Sequence, residues 1–187
     1  MTPTRTVLST RVLLVCAAIG VATGLLTAIA GWISVPIWAI YPLAVTYGLV
    51  LGVHVIPGII AQELLRLPWV ALISHVIAAL VATAFSPQWI ARYIGMAILI
   101  GGLQEGIAAL TRYRLWQWWR FMISGVIVGV VIAVIMGFVF DLQRFEPWAQ
   151  VAFVGVLFIG PIAWTGIALA IGAGLRRAGV ARGVGRP

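Results

Sequence analysis

The chain has 187 residues, 63% of them hydrophobic and 9% charged, with a mean hydropathy of +1.14. A soluble domain carries roughly 25% charged and about 45–50% apolar residues, so this composition excludes a water-soluble globular fold and requires a chain that crosses a bilayer several times. All 12 basic residues are Arg, against 4 acidic residues; they stand at the ends of apolar runs rather than among polar residues, which excludes a nucleic-acid surface and marks membrane topology.

In chain order, Arg5 and Arg11 precede an apolar run from Val12 to Ala30. A signal-peptide core spans about 7–15 residues, so this longer run is read as the first membrane span. A helix crosses a bilayer with about 20 mostly apolar residues. Six segments meet that expectation: 9–31, 37–62, 69–86, 88–111, 119–141 and 148–175. The predicted fold class is therefore all-α, one polytopic membrane domain over 1–187 with six transmembrane helices. "GWISVP" (31–36) is expected to join the first two, with Pro36 opening the second helix. "LRLP" (65–68) joins the second and third, and "SP" (86–87) breaks the chain before the fourth. The second segment contains Pro57 and Gly58, which are expected to kink or break it. "RYRLWQWWR" (112–120) reads as a basic, aromatic belt, and "DLQRFEPW" (141–148) as a loop of mixed charge.

With the N-terminus inside, ten Arg fall on the inner side and two, Arg92 and Arg144, on the outer. This bias places both termini in the cytoplasm. The first span carries small residues four apart: Ala18 with Ala22, and Gly20 with Gly24 and Ala28. Such stripes let helices approach closely, either within the chain or against another membrane subunit. Ala168 with Gly172, and Ala170 with Gly174, carry the same ambiguity in the last span.

Ionisable groups inside spans cost about 2.5–3.5 kcal/mol on insertion scales and raise a functional question by default. They are His54, Glu63, His75, Arg92 and Glu105. Glu63 and Arg66 read as a solvated interfacial pair, and His54 as a partner for a carbonyl freed at the Pro57 kink. His75 and Glu105 each lie about 9–10 Å from the inner end of antiparallel neighbouring spans, at 1.5 Å per residue. A His75–Glu105 hydrogen bond or ion pair is therefore expected, or else a shared ligand contact. Trp32, Trp38, Tyr41, Trp89 and Tyr93 fall near the outer span ends, with Tyr47 deeper. Each alone is interfacial belt; converging, they form a box that stacks a flat heterocycle and holds a cation over its faces. Trp89 and Tyr93 share a helix face with Arg92 nearby.

Catalytic signatures are missing: there is no H-E-x-x-H, no G-x-S-x-G and no phosphate loop. The single cysteine, Cys16, permits neither a disulfide nor a cysteine metal site within the chain. No catalytic residue, metal or cofactor is expected.

Six short-looped spans with A-x-x-x-A in the first resemble the substrate-binding S components of energy-coupling-factor (ECF) transporters, and most closely the hydroxymethylpyrimidine/thiamine S-component family. "LPWVALISHVIAALVA" (67–82) is similar to that family's P-G-A-A-L-x-x-E-x-x-A-A-L-V segment. "IGGLQEGIAALTRYRLW" (100–116) is similar to its Q-G-L-G-A-E followed by a basic stretch, so that Glu105 takes the family's Glu. "TYG" (46–48) matches a Tyr-Gly of the second span, and Trp89 stands where a Gly-x-Trp opens the fourth. The likeness covers about residues 10–175. Two departures matter: His75 replaces the family's acidic residue, and the Q-G-L-G-A run is degraded. The resemblance implies a non-catalytic prokaryotic plasma-membrane subunit that captures thiamine or its hydroxymethylpyrimidine precursor from outside. It then docks on a transmembrane coupling subunit driven by two ATPases. The implied pocket is Trp32, Trp38, Tyr41, Tyr47, Trp89, Arg92 and Tyr93, with His75 and Glu105 as polar anchors. The implied docking stripe is Ala18 and Ala22, flanked by Gly20 and Gly24. An S component for another small vitamin or amine, and an interaction subunit without a ligand, remain as alternatives.

Overall fold

The computed structural model describes residues 9–39 and 47–181, and for 37–39 the backbone alone. The described chain is helical: α1 (Thr10–Ala39), α2 (Tyr47–Leu51), a 3-10 turn (Gly52–Val55), α3 (Ile56–Leu65), α4 (Val70–Phe85), α5 (Ile90–Leu110), α6 (Trp118–Val139) and α7 (Pro147–Arg177). Five stretches are long and apolar enough to cross a membrane: Thr10–Pro36, Tyr47–Leu65, Pro87–Leu110, Trp118–Val139 and Pro147–Arg177. The third expected span, α4, is 16 residues, about 24 Å against a hydrocarbon core of about 30 Å. Its length is set at both ends. Trp69 before it is left-handed, with φ 68°. Ser86 after it precedes Pro87, a context that disfavours helical backbone.

Two further expectations are corrected. "GWISVP" is not a loop: α1 runs through it, with Pro36 inside the helix near its end. A proline there leaves only the last turn to lose a hydrogen bond. The second segment is interrupted, as expected, but not at Pro57 itself. The break comes earlier, at the 3-10 turn, and Pro57 sits at the start of α3, where its missing N–H has no helical partner to lose.

The core is mostly apolar, and so is much of the exposed surface. Val130, Val134 and Phe138 of α6 and Val151 and Ile159 of α7 are exposed, as a lipid-facing surface requires. Inside, small residues set the helix spacing, because lipid supplies no hydrophobic drive for helix association. A Cβ on Gly20 would lie 2.7 Å from Ile77, and one on Gly24 2.7 Å from the Ala78 carbonyl, so both glycines are used by α1 against α4. Gly48 and Gly160 bring α2 and α7 together in the same way. The ends of α3, α5 and α7 and the starts of α1, α4 and α6 gather at one end of the bundle. This is shown by contacts of Cys16 with Val70, Glu105 with Ala71, Arg120 with Gln62 and Arg176 with Glu63. It is called the basic end below.

Candidate functional site

The polar residues form two assemblies. The first starts at the basic end. α4 opens with Val70 and Ala71 fully buried, and Trp69 provides no side-chain cap. The free N–H groups of that first turn need an acceptor, and water does not reach them. Glu105 of α5 provides it: its Oε1 accepts the Ala71 N–H at 2.7 Å, with the negative charge at the positive end of the helix. Tyr113, in the turn beyond α5, has its phenol pKa raised by partial burial and by the nearby Glu105 carboxylate.

One residue earlier, Gln104 joins three helices. Its Oε1 pairs with His75 Nε2 at 2.9 Å, its Nε2 donates to the Val55 carbonyl at 3.0 Å, and its own carbonyl accepts from Gln62 Nε2 at 3.3 Å. Gln62 Oε1 in turn accepts from Arg120 Nη2 at 3.1 Å. Arg120 is 1% exposed, with its guanidinium over the rings of Phe121 (4.2 Å) and Trp116 (4.7 Å). Gly58 makes room for this cluster: a Cβ there would collide with Gln104 Oε1 and lie 2.8 Å from His75 Nε2.

The expected His75–Glu105 pair is therefore not formed. Successive residues of one helix point about 100° apart, so Gln104 turns to His75 while Glu105 turns to the start of α4. Glu63 also differs from its expectation. It is buried and bonds chiefly to Arg176 of α7, with Arg66 a looser 4.0 Å contact.

The second assembly is at the opposite end, a narrow cleft between α1, α2 with its 3-10 turn, and α5. Tyr47, His54, Trp89, Arg92 and Tyr93 supply its aromatic and polar walls, and Ser34 and Val35 of α1 close one side. The Arg92 guanidinium stands 5.4 Å from the Trp89 ring and 5.7 Å from the Tyr47 ring. His54 and Tyr93 rings are 6.4 Å apart. These two also border a smaller cavity that reaches Thr27, Pro57 and His75. His75 thus connects the cleft side to the Gln104 network.

Of the residues expected to line a pocket, Tyr47, Trp89, Arg92 and Tyr93 come together, and His75 lies in the adjoining cavity. Glu105 is at the basic end, away from the cleft. Trp32 is 57% exposed on the outer face of α1, where its Nε1 donates to Ser86 Oγ and its ring meets Phe85 edge-on at 6.3 Å. Trp38 and Tyr41 lie outside the described side chains. His54 joins the cleft although the sequence reading assigned it to a kink. The available signal was its spacing from Tyr47: seven residues is two helical turns, hence one face. Of the expected docking residues, Gly20 and Gly24 are buried against α4. Ala18 and Ala22 are exposed and line an apolar groove of about 850 Å³ with Leu14, Ile60, Leu64 and Ile171.

Comparison with known proteins gives two matches of different kinds. A solved structure described as an S-component of an ECF transporter superposes with a TM-score of 0.83 at 20% identity, covering 95% of this chain and 90% of that one, a likeness of fold. No curated protein matches the chain. Residues 11–131, which run from α1 into α6 and include every cleft residue, match the model of the family described as "ABC-type cobalt transport system, permease component". By that match, extending over well more than half of its length, the chain belongs to this family of ABC-type transport permease components.

Proposed function

We propose that this protein is the substrate-capture (S) subunit of an ECF-type importer, taking up thiamine or its hydroxymethylpyrimidine precursor at the Tyr47–Trp89–Arg92–Tyr93 cleft. The observation that carries the reading is the convergence of three aromatic rings, an imidazole and a guanidinium from α1-facing parts of α2, the 3-10 turn and α5. Flat rings with a few directed polar groups are what a planar heterocycle requires for stacking and orientation. The family membership and the S-component-like fold support a transport role. The missing phosphate loop assigns ATP hydrolysis to two partner ATPases acting through a transmembrane coupling subunit. In this reading the exposed Ala18–Ala22 groove is the docking face for that subunit, and the Arg distribution supports a cytoplasmic basic end and cytoplasmic termini in the plasma membrane of a prokaryote. His75, in the adjoining cavity, supports the site in this reading.

The test is tryptophan fluorescence of the detergent-solubilised protein titrated with thiamine and with hydroxymethylpyrimidine. Saturable quenching lost in Trp89→Ala supports the reading. A flat response from protein that retains its helical circular dichroism would sink it.

A second reading takes cobalt, the substrate in the family's description, as cargo. His54 and His75 border the same small cavity and favour it, but among the described residues no three His, Cys, Asp or Glu come together. Two imidazoles fall short of an ordinary divalent site. Equilibrium dialysis against Co²⁺ with metal analysis decides: stoichiometric uptake abolished by His54→Ala supports cobalt, and none dismisses it.

A further inference from the structure

The small cavity behind the cleft is walled mostly by apolar side chains but not entirely. His54 and Tyr93, whose rings stand 6.4 Å apart, line both spaces and form the partition between them. Gly31 of α1 lets Tyr93 take this place, since a Cβ there would collide with the phenol oxygen. Beyond the partition, three alanines and Pro57 offer no polar side chain. Two polar ones remain, Thr27 of α1 and His75 of α4, each 3% exposed. The Thr27 hydroxyl has no hydrogen-bond partner among the described residues.

The proton positions on His75 follow from its neighbours. Gln104 Nε2 lies 3.0 Å from the Val55 carbonyl, which can only accept, so the amide NH2 is on that side and Oε1 faces His75. That oxygen also only accepts, so His75 Nε2, 2.9 Å away, carries a proton. No carboxylate is bonded to His75 among the described residues. An unpaired charge is costly to bury, so the ring is neutral and Nδ1 keeps its lone pair. The Cδ2–Nε2 edge is walled in by α3 and α5: a Cβ on Gly58 would lie 2.8 Å from Nε2, and one on Gly101 3.1 Å from Cδ2. The opposite edge, with Nδ1, is left to the cavity.

We infer that this cavity is an inner subsite for the amino substituent of a flat heterocycle, with His75 Nδ1 accepting one N–H and the Thr27 hydroxyl oxygen accepting the other. The ring stays in the cleft, and the substituent passes between His54 and Tyr93. The inference rests on the cleft being the substrate site, as proposed above. It makes His75 a specificity-determining residue and Gln104 a positioning residue, because Gln104 fixes which ring nitrogen accepts. A ligand without the amino group leaves both acceptors without a donor. Buried polar groups left unmatched discriminate more strongly than a lost apolar contact. Hydroxymethylpyrimidine has such a group, and its deaminated analogue has hydrogen in that place.

Two measurements test this on full-length protein, purified in detergent without a polyhistidine tag. Isothermal titration compares hydroxymethylpyrimidine with its deaminated analogue. Wild type should prefer the amino compound by at least about tenfold, or about 1.4 kcal/mol. The preference should vanish in His75→Leu and shrink in Thr27→Val, which removes only a hydroxyl and decides the case if His75→Leu does not fold. Equal binding of the two compounds by wild type, or a preference unchanged in these variants, overturns the inference while leaving the cleft as the substrate site. Nitrogen NMR of histidine-labelled protein reads the tautomer directly. The chain has two His, so His54→Gln assigns the spectrum. His75 should show a protonated Nε2 and a bare Nδ1, and Gln104→Leu should lose that single tautomer; a protonated Nδ1 in wild type overturns the inference. If folded wild type binds neither compound, the pyrimidine reading fails, and 3-aminopyridine and pyridine take their place in the same spectrum at millimolar concentration. A shift of His75 Nδ1 with 3-aminopyridine alone then upholds the subsite, and any other pattern overturns it.

Discussion

Glu105 is tolerated inside an apolar bundle because it meets a buried helix start that nothing else caps. Two substitutions separate its charge from its hydrogen bond. Glu105→Gln retains an acceptor for the Ala71 N–H, whereas Glu105→Ala leaves that N–H unmatched, at a cost of about 1–2 kcal/mol, as for a lost helix cap. Cys16 is fully buried and the chain's single thiol, so thermal unfolding is readable as its reaction with a thiol-specific fluorophore. The midpoint should fall by about 2–8 °C in Glu105→Ala and by less in Glu105→Gln. Equal losses in the two would show that charge, not the cap, is what matters. Gly58→Ala makes a sharper case, because its Cβ would enter the space of Gln104 Oε1 and approach His75 and Ala71 together. Overpacking of this kind costs about 1–3 kcal/mol, and the same assay should show a lowered midpoint; a wild-type midpoint would mean that the Gln104 cluster rearranges freely.

At the scale of the element, α1 uses two small-residue stripes for different purposes. Gly20 and Gly24 face α4, and Ala18 and Ala22, rotated round the helix, face an open groove. Spacing alone did not distinguish them, since both stripes repeat every four residues. The distinction came from which face α4 covers. Gly20→Leu should therefore destabilise the isolated protein, seen as early Cys16 labelling on heating. Ala18→Trp should leave that curve unchanged and abolish co-purification with a coupling subunit. If Ala18→Trp lowers the melting midpoint as much as Gly20→Leu, the groove is an intramolecular seam and not a docking face. The helix boundaries carry a related lesson. α5, α6 and α7 were legible to within a few residues from apolar length alone. Pro36 misled, because a proline marks a place where a helix bond is dispensable, and that is equally true of a first turn and of a last one.

At the scale of the molecule, charge asymmetry and the two polar assemblies share one axis. The basic end gathers Arg66, Arg120, Arg176 and the buried Glu63 and Glu105, while the cleft with Arg92 is at the other. Between them runs a chain of contacts from Arg120 through Gln62 and Gln104 to His75 and the cavity shared with His54. The proposed orientation is open to direct measurement. In a Cys16→Ser background, single cysteines at Gln143 and at Ala178 should respond oppositely to an impermeant maleimide on intact cells, with Gln143→Cys labelled and Ala178→Cys protected. The reverse pattern would invert the topology and put the cleft in the cytoplasm.

The sequence by itself determined the membrane class, the helical fold, the spans of α5, α6 and α7 and the set of residues worth attention, because apolar length and charge placement answer to the bilayer, which acts on each segment separately. Only the tertiary structure decided the partners. It gave His75 to Gln104 and Glu105 to α4, brought His54 into the cleft, set Trp32 outside it, and placed Arg92 over the rings of Trp89 and Tyr47. These outcomes depend on how one helix is rotated against the next, a quantity fixed by close contacts at Gly20, Gly24, Gly48 and Gly58 between segments far apart in the chain.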